Sequence, residues 1–64
     1  MNVYLPDGTV RILDGTPLMV SSFLRSMGLN PLEVIITKNG RVIPEDAVVS
    51  GSDEVRLFRV AHGG

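Results

Sequence analysis

The sequence predicts an α+β roll, with one helix packed on one face of a sheet of four to five strands. Short apolar runs alternate with the period of two expected of half-buried strands. Two strong turn signals, Pro6-Asp7-Gly8-Thr9 and Asn39-Gly40, join such runs into hairpins. One stretch alone, Val20, Phe23, Leu24 and Met27, places apolar residues at helical spacing. A chain of 64 residues has room for a single core, so the helix stripe and the sheet must bury each other.

Taken in order, Met1, Val3 and Leu5 alternate with Asn2 and Tyr4, and Val10 to Leu13 forms the return strand of the first hairpin. Thr16-Pro17 reads as a helix start, a hydroxyl N-cap followed by proline at the first helical position. Ser21, Ser22, Arg25 and Ser26 fall off the apolar stripe, and Gly28 suits the left-handed cap that stops the helix. Leu29-Asn30-Pro31 is a connector. Val34 to Thr37 is a β-branched strand, and Arg41 to Ile43 is its short return. Ala47-Val48-Val49 reads as a turn or a single helical turn, and Ser50 to Asp53 leads into a last strand over 54–60. Residues 1–60 form the domain, and 61–64 form a flexible tail ending in Gly63-Gly64.

Composition narrows the function. The apolar share of 44% and charged share of 20% are those of a globular domain. Cysteine is absent, so disulfides and thiolate metal sites are excluded, and the single histidine cannot anchor a metal alone. A net charge of −1 with scattered basic residues argues against nucleic-acid capture. No apolar stretch is long enough to span a membrane, and the N-terminus lacks the features of a signal peptide. A monomeric, cytoplasmic protein is expected. No phosphate-binding loop and no acid/base or nucleophile constellation is present, so the chain is not expected to be an enzyme.

The order of elements, Asn39-Gly40-Arg41-Val42-Ile43-Pro44, Gly51-Ser52-Asp53-Glu54-Val55 and the closing Gly63-Gly64 together resemble the β-grasp sulfur carriers and ubiquitin-like modifiers. Pro31-Leu32-Glu33-Val34 and Pro44-Glu45-Asp46 are most similar to the small archaeal ubiquitin-like modifier proteins. Ser52 departs from the pattern, since it separates a Gly and an Asp that are usually adjacent. The resemblance covers essentially the whole chain and implies a mixed sheet.

It also implies a chemistry. Glycines carry no Cβ, so Gly63-Gly64 can thread into a narrow active site and present the Gly64 carboxylate. That carboxylate is ionised at neutral pH and is a poor electrophile. The resemblance implies an adenylating enzyme of the ubiquitin-activating type that uses ATP and magnesium, no cofactor being bound by the chain itself. Sulfur from a donor then gives a thiocarboxylate, for tRNA thiolation or cofactor synthesis, or target-protein lysines capture the activated carbonyl as an isopeptide. Two alternatives are a small subunit of a molybdopterin-synthase-like complex and a ubiquitin-like binding module with an inert tail.

Other residues are weighed beside the tail. If Val55 and Leu57 face the helix, Phe58 and Val60 face outward, and Tyr4 and Ile35 have the parity to join them in an exposed recognition surface. Arg59 is a charged handle for an acidic groove on the activating enzyme, or simply a solvated charge. His62 titrates near neutrality beside the tail and could assist transfer, though an idle tail residue is the plainer reading. Lys38 is the single lysine and hence the one position for self-conjugation through a lysine, or an ordinary turn residue.

Overall fold

A computed structural model describes residues 1–60. Its main sheet has five strands in the order β2-β1-β7-β4-β5, where β1 is Asn2–Tyr4, β2 Val10–Ile12, β4 Val34–Lys38, β5 Arg41–Ile43 and β7 Glu54–Arg59. A second, two-stranded sheet pairs β3, Leu18–Met19, with β6, Val48–Val49. Among the described residues the single α-helix, α1, spans Val20–Ser26. The main sheet is mixed: β1 runs parallel to β7, and every other pair is antiparallel.

The two hairpins form where the turn residues require them. Leu5 and Thr9 close the first turn, the Leu5 N–H donating to the Thr9 carbonyl at 2.8 Å. At the second, Asn39 and Gly40 have φ of 51° and 85°, the left-handed pair that a two-residue hairpin turn needs. The helix also stops as expected. The Leu29 N–H reaches the Leu24 carbonyl and the Gly28 N–H the Arg25 carbonyl, a paired closure that requires the positive φ of Gly28.

The helix start differs from expectation. Met19, not Thr16, is its N-cap, and its side chain makes no capping bond. The Thr16 N–H is instead held by the Asp14 carboxylate at 2.8 Å, and the chain stays extended through Leu18–Met19 to pair with Val48–Val49. The same pairing corrects the reading of Ala47-Val48-Val49, which is strand rather than turn or helix. The backbone of this region caps the helix in place of a side chain: the Val20 and Ser21 N–H groups donate to the Ala47 and Glu45 carbonyls at 3.0 and 2.8 Å. The Leu29-Asn30-Pro31 connector passes into a 3-10 turn, Pro31–Glu33, whose cap is the Asn30 side chain accepting from the Leu32 N–H.

Val3, Val20, Leu24, Ile36, Val49, Val55 and Leu57 form the core between helix and sheet. Val20 and Leu24 are buried and Phe23 and Met27 half-buried, so the predicted stripe faces the sheet. Ser21 was expected off this stripe and is buried, because its backbone lies against the loop before β6. Among the described residues, no helix is long and apolar enough to cross a membrane.

Candidate functional site

Alternation along β7 sorts its side chains between two faces. Val55 and Leu57 are buried toward the helix, while Glu54, Arg56 and Phe58 lie on the outer face. The registers then assemble that face. Ile35 of β4 sits directly opposite Phe58, and the two are 44% and 50% exposed. Tyr4 sits opposite Arg56, whose guanidinium carbon lies 4.2 Å from the centre of the Tyr4 ring. Tyr4 and Phe58 line one shallow groove with Pro6 and Arg56. The structure therefore brings Tyr4, Ile35 and Phe58 onto one face, as their parity predicts.

Three exposed apolar residues on this face, Val10, Ile12 and Val42, were not singled out from sequence. One row runs across all five strands as Val10, Tyr4, Arg56, Thr37 and Val42. Val10 and Val42 are both exposed and extend the apolar surface to the two edges of the sheet. Their signal was the same parity argument, which can be applied only once the register of β2 and β5 is known. Arg56 is held within the face by the Glu54 carboxylate at 2.7 Å and by the Tyr4 ring, so the face is apolar around a fixed and neutralised charge.

Val60 follows Phe58 at the same parity, and Arg59 has the opposite one. The Val60 N–H donates to the Glu33 carbonyl at 2.9 Å, continuing the β4–β7 ladder one step past the strand. Half-buried there, Val60 is the last described residue. Arg59 shares the parity of Val55 and Leu57 at the end of β7, and it lines both the helix-side groove with Leu5, Met27 and Leu29 and the outer groove with Tyr4 and Phe58. His62, Gly63 and Gly64 lie outside the described residues.

Lys38 has a partner that the sequence did not reveal. Its ammonium lies 3.6 Å from the Asp53 carboxylate, which also accepts from the Ser50 N–H at 2.9 Å and the Asn39 amide at 3.2 Å. Asn39 in turn accepts the Glu54 N–H at 2.9 Å, so the hairpin turn clamps the start of β7. The Ser50 N–H, then Asn39 and Lys38, hold the Asp53 carboxyl below the ordinary aspartate value. Thr9 holds Asp7 low through its hydroxyl and N–H, and the Thr16 N–H holds Asp14 low.

These shifts have a sign. A depressed folded-state pKa gives stability that is complete above the ordinary aspartate value and is lost as pH falls through it and below. The melting temperature is thus expected to be flat from about pH 7 to about pH 5 and to fall toward about pH 3. Asp53→Asn should lower the neutral plateau and shrink the acid drop. Thermal melts followed by circular dichroism would check this, and an unchanged acid limb in the variant would count against it.

Among the described residues, no group of three or more metal-ligating side chains converges. What the described residues offer is a surface. A mixed five-stranded sheet clasping one helix defines a ubiquitin-like β-grasp protein. The family model of small archaeal modifier protein 2 matches residues 12–61, and the chain belongs to that family. An uncharacterized protein of Archaeoglobus fulgidus is 41% identical over 44 residues, covering 69% of this chain and 64% of the relative. The matched segment thus spans just under two thirds of that relative's length. The crystal structure of the thiamine biosynthesis protein ThiS from Geobacter metallireducens superposes with a TM-score of 0.66 at 27% identity, covering 100% of both chains.

Proposed function

We propose that this protein is a ubiquitin-like sulfur carrier or protein modifier whose Gly64 carboxylate is activated by an ATP-dependent adenylating enzyme. The observation that carries the reading is the placement of the tail root. The outer face of Tyr4, Ile35 and Phe58 ends at Val60, and four residues beyond it lies Gly64, a reach of at most about 14 Å. A partner docked on that face would hold its active site within the reach of the carboxylate. Membership in the small archaeal modifier family and the likeness to ThiS support the same reading.

The chemistry is acyl transfer. A Gly64 carboxylate oxygen attacks the α-phosphorus of magnesium-bound ATP and displaces pyrophosphate, leaving a mixed anhydride. A persulfide sulfur attacks the carbonyl and AMP departs. A thiol then attacks the donor's cysteine sulfur in the resulting acyl disulfide, forming a new disulfide with it and leaving the transferred sulfur on the carbonyl as the thiocarboxylate. In conjugation, a target lysine amine captures the activated carbonyl instead. This protein contributes the carboxylate and the docking face, and its partners contribute the nucleotide chemistry.

The deciding measurement is intact mass after incubation with a cognate adenylating enzyme, ATP, magnesium and a sulfur donor. The expected result is replacement of one oxygen by sulfur in the full-length chain and no change in a chain lacking Gly63 and Gly64. A competent enzyme that leaves the full-length chain unmodified would overturn the proposal. Deletion should leave the melting temperature unchanged, because the core closes before Val60.

A further inference from the structure

On the helix side of the sheet, Arg11 and Arg59 line one groove. Arg11 comes from the edge strand β2, in register with the buried Val3, and Arg59 from the last position of β7. Half-buried Leu5, Met27 and Leu29 form the apolar part of the lining. Two other basic residues, Lys38 and Arg56, are engaged in ion pairs. Among the described residues, neither Arg11 nor Arg59 has a carboxylate within ion-pair distance.

The groove also contains Asp7, which accepts both the N–H and the hydroxyl of Thr9, at 2.9 and 2.7 Å. Two guanidinium groups against this one committed carboxylate leave the groove positive, on a chain whose net charge is −1. Fixed positive charge beside half-buried aliphatic side chains suits a ligand that is both acidic and apolar. Its position matters too, because Arg59 is one residue before Val60, the tail root.

We infer that this groove docks an acidic segment of the protein that receives the tail, with carboxylates on Arg11 and Arg59 and an apolar side chain on Leu5, Met27 and Leu29. The identity of that partner rests on the carrier reading; the chemistry of the groove does not. The groove adjoins the one lined by Tyr4 and Phe58, sharing Leu5, Pro6 and Arg59 with it, so a partner using both would wrap the end of β7.

The test is a titration of the 15N-labelled full-length protein with an acetylated peptide of alternating glutamate and leucine, followed by amide chemical shifts. Saturable shifts are expected at Arg11, Met27, Leu29 and Arg59, weakening as salt rises. Binding should weaken at least tenfold in the Arg11→Glu/Arg59→Glu double variant, and also with a peptide in which serine replaces leucine. Arg11→Gln/Arg59→Gln should show an intermediate loss with a native spectrum. Shifts centred on Tyr4 and Phe58, equal binding by the charge-reversed variant, or the same shifts from inorganic phosphate would each overturn the inference. Removing Gly63 and Gly64 should leave this titration unchanged while abolishing activation, so failure of the groove and failure of the carrier reading give different results.

Discussion

Gly15→Ala is expected to destabilise the fold by about 3 kcal/mol, lowering the melting temperature by roughly 15 °C in a domain of this size. Two effects combine at this position. Gly15 has φ of +91°, where a Cβ costs on the order of 1–2 kcal/mol. A Cβ built there would also sit 2.8 Å from the Gly51 carbonyl oxygen and 3.2 Å from the Gly51 Cα, and both are backbone atoms that cannot rotate away. The approach is close because the Gly51 N–H donates to the Gly15 carbonyl at 2.8 Å, tying the loop after β2 to the turn before β7. Gly8 provides the control: its φ is +90°, yet nothing lies within 4 Å of an added Cβ. Gly8→Ala should therefore show the conformational cost alone, about 1 kcal/mol. Equal melting temperatures for the two variants would show that the Gly15–Gly51 contact contributes nothing.

Phe58→Ala is expected to separate recognition from folding. Phe58 is half exposed on the outer face, so its truncation removes mainly the cross-strand contact with Ile35, on the order of 0.5–1 kcal/mol. If the face docks the adenylating enzyme, a central aromatic should carry about 2 kcal/mol of binding, a loss of about thirtyfold in kcat/KM for activation. Leu32, exposed on the 3-10 turn rather than on a strand of the sheet, supplies a control in Leu32→Ala. A folded Phe58→Ala protein that is activated at the normal rate would remove the outer face from the mechanism.

How far the sequence could be read depended on whether a feature was local. Asn39-Gly40 and Gly28 announce their structures because a positive φ selects among residue types at that very position. Thr16-Pro17 misled for the opposite reason. A good local helix start was overridden by Leu18–Met19 pairing with Val48–Val49, thirty positions away, and no local signal encodes that partner. The outer face was legible through parity, since one fixed face of β7 determines the other. Its edges, Val10 and Val42, required the strand register. The Lys38–Asp53–Asn39 cluster and the pairing of Arg11 with Arg59 in one groove join residues far apart in the chain, so only the folded molecule shows them.

The parallel pairing of β1 with β7 has a consequence for synthesis. Asn2 lies against Glu54 and Tyr4 against Arg56, so the first strand made gains its central neighbour only when the last is delivered. Until then β1 and β4 each present an open edge where β7 belongs, and such contacts between distant residues form late. On a ribosome the residues after β7 leave the tunnel later still. A chain that ends before β7 therefore lacks the finished outer face of Tyr4, Ile35 and Phe58. If the proposed activation runs through that face, chains without β7 stay outside it.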